Sequence, residues 1–269
     1  MPQPLQHDPR SVPLNGGPEV SSVRKALEIL ASFSLERPVW TLSALSRHLD
    51  LPKSTVHNLL RTLQTFDFVR QDPEARNYRL GPRALEMGLV FARSTEMLAG
   101  VRPFLRRLAE HTGETIKMGI LSNDRVLIVA AVESAHQLHT RGDTGTRWPL
   151  HSTSLGKAIL SALPEDEARQ MVERYGLPAV TPHTATSWES LERDLRQIRT
   201  RGYALDLEEN ERGVRCVAAP VVDPLRGSIA AISVSGPKVR LEDDRLVQLA
   251  RDVVAAARSI RAQAQVEES

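Results

Sequence analysis

Apolar residues recur at helical spacing three times between Ser21 and Leu63. Val23, Leu27, Leu30 and Phe33, with Ala26 beside them, form the first stripe, and Ser21 or Ser22 can cap that helix. Pro38 ends the loop that follows. Leu42, Leu45 and Leu49 form the second stripe behind Thr41 as a cap, and Asp50-Leu51-Pro52 makes a turn. Val56, Leu59, Leu60 and Leu63 form the third stripe, with Ser54 as its cap. Two helices joined by so short a turn match a helix-turn-helix. The period then drops to that of strands. FVRQ, DPEAR and NYRL predict a β-hairpin turning at Asp72-Pro73 and stopped by Gly81-Pro82. Three helices and a hairpin are the parts of a winged helix-turn-helix.

From Pro82 to Gly113 the pattern is helical almost throughout, and Pro82 suits a first turn. Leu85, Leu89 and Ala92 give one stripe; Leu98, Val101, Leu105 and Leu108 give another, with Gly100 and Pro103 predicting a break or kink between them. Gly113 is placed to end the helix. An apolar stripe on a connecting helix suits packing on a second subunit or on its own domain. Further on, TIKMGILS and RVLIVAAVE are apolar runs split by Asn123-Asp124, a hairpin. STSLGKAILSAL opens on a serine cap and turns helical, and PEDEARQMVERYG and SWESLERDLRQIRTRG are two more helices. GYALDL, CVAAPVVD and GSIAAISVS read as strands, the last two joined by a turn over Asp223 to Gly227, before the long helix LEDDRLVQLARDVVAAARSIRAQ. Hairpin-joined strands flanked by helices place this part in the α+β class.

The polar side of the third helix carries the first candidate chemistry. With its apolar face buried, that helix presents Ser54, Thr55, Asn58, Arg61 and Thr62, with His57 on the flank. Short donors and acceptors suit base edges and phosphates in a major groove. Lys53 lies at the helix N-terminus, where phosphates also bind. Arg70, Arg76 and Arg79 lie on or beside the hairpin, where a wing touches the DNA backbone or minor groove; Thr41 and Ser43 complete the candidate DNA-facing set. A solvent-facing helix and a purely structural hairpin are the alternatives. Charge favours the first reading modestly. Residues 21–83 carry ten Lys/Arg against six Asp/Glu, whereas residues 84–269 carry 24 against 25. A basic module on a neutral body points to a polyanion.

At 269 residues the chain is expected to form two domains, with mostly aliphatic cores because aromatics make up only 4%. No apolar run approaches the roughly 20 residues that span a bilayer. The opening stretch lacks the apolar segment of a secretion signal and reads as a disordered tail. A single cysteine, Cys216, excludes an internal disulfide and fits a reducing cytoplasm.

The chain resembles bacterial transcription regulators of the IclR family. LSALSRHLDLPKSTVHNLLRTL followed by YRLGPRALEMG carries one part of the likeness; LHSTSLGKAILSAL and GYALDLEENERGVRCVAAPVVD with GSIAAISVSGP carry the rest, over roughly residues 20–262. The resemblance implies a GAF-like effector domain, with an antiparallel sheet flanked by helices, joined by a connecting helix to the winged helix-turn-helix. It also implies dimers or tetramers on palindromic double-stranded DNA operators. The expected division is a tail over 1–19, a DNA-binding domain over 20–81, linker helices over 82–112, an effector-binding domain over 113–262 and a tail over 263–269. The resemblance further implies a pocket for a small organic acid on one face of the sheet. Ser154, Leu155 and Gly156 would offer backbone N–H groups to a carboxylate, and Asp206, Val214, Cys216, Ser233 and Ser235 match contacting positions. Ser233 and Ser235 share a strand face, and so do Met118 and Ile120, which would form an apolar wall.

Cys216 also admits an enzymatic alternative, a Cys- or Ser-dependent hydrolase or lyase with an accessory helix-turn-helix. A nucleophile needs a base and an orienting group. His151 and Asp206 are candidates, but nothing local marks the arrangement. A metal site needs partners, and there is no Cys pair or short His spacing; His136 and His139 are three apart in a segment without helical pattern. The favoured reading of Cys216 is a small buried thiol lining the pocket, with no metal, no cofactor and no enzymatic role.

Overall fold

The computed structural model describes residues 19–94, 100–142, 144–223 and 228–266. Residues 1–18 of the expected tail, Leu98 of the bridge stripe, the turn over 224–227 and the last three residues lie outside the described residues. Contacts divide the chain into two compact units, the first ending at Ser94.

The first unit comprises α1 (Ser21–Ala31), β1 (Val39–Thr41), α2 (Leu42–His48), α3 (Lys53–Thr65), β2 (Val69–Gln71), β3 (Asn77–Leu80) and α4 (Pro82–Ser94). Thr41 caps α2, its hydroxyl accepting from the Ala44 N–H at 3.2 Å. Asp50 turns the chain at φ 51, a value that Asp tolerates better than most residues. α3 starts at Lys53 with Pro52 in the cap position and no side-chain cap, so Ser54 lies inside the first turn instead of capping it. Ile29, Leu45, Val56, Leu60 and Leu63 meet Trp40, Val69 and Tyr78 in one core.

The face that α1 buries differs from the expected stripe. Ile29 is fully buried, Leu30 and Phe33 pack against the core, and Val23 and Leu27 stay exposed at 54% and 59%. Two apolar stripes overlap on this helix. The Trp40 indole N–H donates to Ser32 O at 2.8 Å just past its end, which sets its rotation. β2 and β3 form the expected hairpin. β1 adds a third strand, pairing Trp40 with Tyr78, so the order is β1-β3-β2. On α4, Leu85 and Leu89 remain exposed.

The second unit comprises α5 (Arg102–Thr112), β4 (Thr115–Ser122), β5 (Arg125–Val132), β6 (Arg147–Trp148), α6 (Ser154–Ala162), α7 (Glu165–Tyr175), α8 (Trp188–Arg201), β7 (Ala204–Leu207), β8 (Val214–Asp223), β9 (Ser228–Pro237) and α9 (Asp243–Val266). Pro103 sits in the first turn of α5, and Gly113 ends it at φ 75. Asn123 and Asp124, at φ 49 and φ 52, close the β4–β5 hairpin with the left-handed pair that a two-residue turn requires. Thr153, not a serine, caps α6 by accepting from the Gly156 N–H at 3.0 Å.

The sheet runs β6-β5-β4-β9-β8-β7, antiparallel throughout. Strand alternation gives it two apolar faces. Ile116, Met118, Val217, Ala219, Ile232 and Val234 face α5 and α9. Val126, Ile128, Ala204, Ala218 and Ala231 face α6, α7 and α8. No helix among the described residues is long and apolar enough to cross a membrane.

Candidate functional site

In the first unit, burial of Val56, Leu60 and Leu63 turns the other side of α3 outward. Lys53, Ser54, His57, Asn58, Arg61 and Thr62 are exposed, and Thr55 is half-buried. The Thr62 hydroxyl donates to Asn58 O at 3.1 Å, which leaves the Asn58 amide as the freer recognition group. On α2, Ser43 is exposed; Thr41 is exposed too, with its hydroxyl engaged as the cap. On the wing, Arg70 and Arg79 are direct cross-strand partners and both are exposed. Like charges so paired repel each other, and Asp67 Oδ1 lies 3.5 Å from Arg70. Arg76 sits in the turn at φ 56, and Asp72 fixes that turn by accepting from the Glu74 and Ala75 N–H groups at 3.0 and 2.9 Å. Those two bonds hold its carboxyl below the ordinary carboxylate range.

In the second unit, period two places Asp206, Val214, Cys216, Ser233 and Ser235 on the α6 face. Cys216 lies between Asp206 on β7 and Ser235 on β9. Ser235 is the direct cross-strand neighbour of Cys216. Ser233 is 1% exposed, and its Oγ has no hydrogen-bond partner among the described residues. Met118 and Ile120 share a face as expected, but it is the opposite one, within the α5–α9 core. They therefore do not meet the serines. The strand register decides this: Lys117, not Met118, lies beside Ser233.

The N-terminus of α6 lies over the same face, with Leu155 in the core against Ala218 and Ala231. Its first turn is wholly buried. The Gly156 N–H is taken by Thr153, whereas the Ser154 and Leu155 N–H groups have no partner among the described residues. Buried N–H groups at a helix N-terminus form an anion site. Gly156 must lack a side chain, because a Cβ there would come within 2.3 Å of Leu150 O.

Behind this turn lies a polar network that sequence reasoning missed. Lys157, 1% exposed, donates to Asp194 Oδ2 and Glu209 Oε1, both at 2.6 Å. Asp206 Oδ1 accepts from the Glu209 and Asn210 N–H groups at 2.7 and 3.3 Å, and Asn210 Oδ1 accepts from Ser152 Oγ at 3.1 Å. Thr184 Oγ1 donates to Glu209 O at 2.6 Å. The loop after β7 is thus tied to the start of α6. Burial, and then the neighbouring Glu209, push the Asp206 carboxyl up to about 7. Burial alone would lower the Lys157 ammonium, but Glu209 and Asp194 outweigh it and raise it. A lone lysine inside the apolar run SLGKAILSA was the only sequence signal of this network.

The comparisons with known proteins match both units. A family model described as the IclR helix-turn-helix domain covers residues 22–73, and one described as the C-terminal domain of bacterial transcriptional regulator IclR covers residues 90–262. This chain belongs to the IclR family of transcriptional regulators. It is 37% identical to the transcriptional repressor IclR of Escherichia coli K12 over 244 residues, which is 90% of this chain and 89% of that one. A crystal structure of an IclR transcriptional regulator from Alicyclobacillus acidocaldarius matches with a TM-score of 0.82 at 26% identity, covering 91% of this chain and 99% of that one. An IclR homologue from Microbacterium hydrocarbonoxydans, crystallised with 4-hydroxybenzoate, shares the fold with a TM-score of 0.78 at 23% identity, covering 90% and 100%.

The environment of Cys216 is not that of an activated nucleophile. Burial, and then Asp206, push the Cys216 thiol up to about 12, the reverse of an activated nucleophile. His151, the candidate base, hydrogen-bonds Pro178 O at 3.0 Å. His139 Nδ1 contacts His136 O at 2.7 Å, and among the described residues no three His, Cys, Asp or Glu side chains converge where they could hold a metal.

Proposed function

We propose that this IclR-family chain is a cytoplasmic regulator, acting as a repressor, that binds a palindromic operator as a dimer or tetramer. Its DNA-binding domain spans residues 20–81, linker helices follow over 82–112, and the effector domain spans 113–262. A small organic acid bound on the α6 face of the sheet changes its operator affinity. The observation that carries the DNA reading is the outward face of α3, where Lys53, Ser54, His57, Asn58, Arg61 and Thr62 are exposed together beside a wing with three exposed arginines. Asn58, with Ser54 and Thr55, reads bases; Lys53, Arg61, Arg70, Arg76 and Arg79 position the protein on phosphates. The effector reading is supported by the open N–H groups of Ser154 and Leu155 and the unpartnered Ser233 hydroxyl, with Asp206, Cys216 and Ser235 in the same layer. An effector can act only by binding two arrangements of the protein unequally.

The test is binding of the full chain to DNA flanking its own gene, against random duplex, across a salt series. A preference of about 1,000-fold or more establishes specific recognition. The double variant Asn58→Ala, Arg61→Ala is expected to abolish that preference. Unchanged affinity in the double variant would overturn the assignment of α3.

A further inference from the structure

Among the described residues, one cation on the α6 face of the sheet has no counter-ion. Lys117 lies on β4 directly beside Ser233 on β9 and Ala131 on β5, so its side chain projects from the α6 face. Its Nζ lies 5.5 Å from the Trp148 ring centroid. Its charge reaches inward far enough to act on the Cys216 thiol. Among the described residues, no carboxylate comes within ion-pair range of Lys117, and its ammonium donates no hydrogen bond. Glu133, two residues beyond Ala131, is engaged elsewhere: it accepts from the Gly142 N–H at 2.8 Å and lies 3.6 Å from His139. The loop carrying Gly142 folds down over this corner, since a Cβ on Gly142 would meet Ala131 Cβ at 2.7 Å. Thr115 Oγ1 on β4 donates to Thr140 O at 2.8 Å and ties the same loop to the strand.

Among the described residues, the half-buried Lys117 has no anion against it and the buried Ser233 hydroxyl beside it has no hydrogen-bond partner, and a bound carboxylate would complete both. The Trp148 ring offers a favourable quadrupole but no neutralising charge. The contrast with Lys157 is instructive, because that buried lysine has two carboxylates at 2.6 Å.

We propose that Lys117 is the specificity-determining cation of the effector site, pairing with the effector carboxylate while Ser233 donates to the same ligand. This rests on the reading that the effector is a small acid, and it adds what selects the acid over its uncharged analogue. The α6 N-terminus supplies only a partial charge. Lys117 supplies a whole one, so the site discriminates charge and not merely hydrogen-bonding shape.

The experiment is a thermal-shift and calorimetric titration of the full-length chain with pyruvate, succinate and 4-hydroxybenzoate, each alongside its amide, up to about 10 mM, a range that registers even weak binding. The proteins are wild type, Lys117→Met and Lys117→Arg. At least one acid is expected to bind the wild type, with its amide weaker by about 10- to 100-fold. Lys117→Met should lose that discrimination and Lys117→Arg should keep it, which separates loss of charge from loss of fold. An acid that binds wild type and Lys117→Met equally, or an amide that binds as well as its acid, would overturn the role of Lys117 and leave the acid site standing. If no acid binds the wild type, the acid reading falls and the Lys117 proposal falls with it.

Discussion

Asp206→Asn should make this protein more stable, and only above a definite pH. The Asp206 carboxyl is 3% exposed, and burial, with Glu209 beside it, lifts it from an ordinary value of 3.8 to about 7. Between those two values the folded chain keeps a proton that the unfolded chain has already released. Stability therefore falls as pH rises through that window, and the loss is complete above it. At about 1.36 kcal/mol per pH unit, the shift corresponds to a loss of about 4 kcal/mol by pH 8. Asparagine keeps an oxygen for the Glu209 and Asn210 N–H bonds at 2.7 and 3.3 Å and carries no charge. The variant should match wild type at about pH 4 and exceed it by up to about 4 kcal/mol at pH 8. For a unit of this size that is about 8–16 °C in Tm. The assay is urea unfolding of both proteins at several pH values from 4 to 8. Subtracting one profile from the other cancels titrations they share, such as that of His151, which burial lowers. A difference that stays constant with pH would refute the reasoning.

Two further outcomes follow from the same interior. Lys157→Met removes the ammonium between Asp194 and Glu209 and leaves two carboxylates facing each other; a loss of about 3 kcal/mol is expected from the urea midpoint at pH 8, the low end for a broken buried pair because Asp194 keeps 29% of its surface. Adding Glu209→Gln should restore part of it, and an unchanged midpoint in the single variant would refute the network. Cys216 should react with iodoacetamide at pH 8 about 1,000-fold more slowly in the native chain than in urea, since its thiol is raised from 9.0 to about 12. Equal rates in the native chain and in urea would contradict the assigned environment.

Much of the architecture was legible because its signals are local. A cap, a left-handed glycine and a helical stripe act within one turn of chain. Thr41, Gly113 and the Asn123-Asp124 turn therefore behave as their sequence contexts predict. Competing local signals were harder to rank. α1 carries two apolar stripes, and only docking on Trp40 chose the one through Ile29. At α6, Thr153 and the serines beside it are all competent caps, and the backbone chose the threonine.

What the sequence by itself determined is the order of the helices and of the longer strands, though not the short β1 and β6, the division into a basic helical module and an α+β module, and which residues share a face along each longer strand. Only the tertiary structure decided which face that is. Ser233 and Met118 each belong to a clear alternation, yet a one-residue change of register would exchange the α6 side for the α9 side. That register is set by hydrogen bonds between strands more than a hundred residues apart. The same holds for charge. Lys157 meets partners 37 and 52 residues away, whereas Lys117 meets none among the described residues. Counter-ions are chosen by three-dimensional proximity and desolvation, neither of which is written in the spacing of the chain.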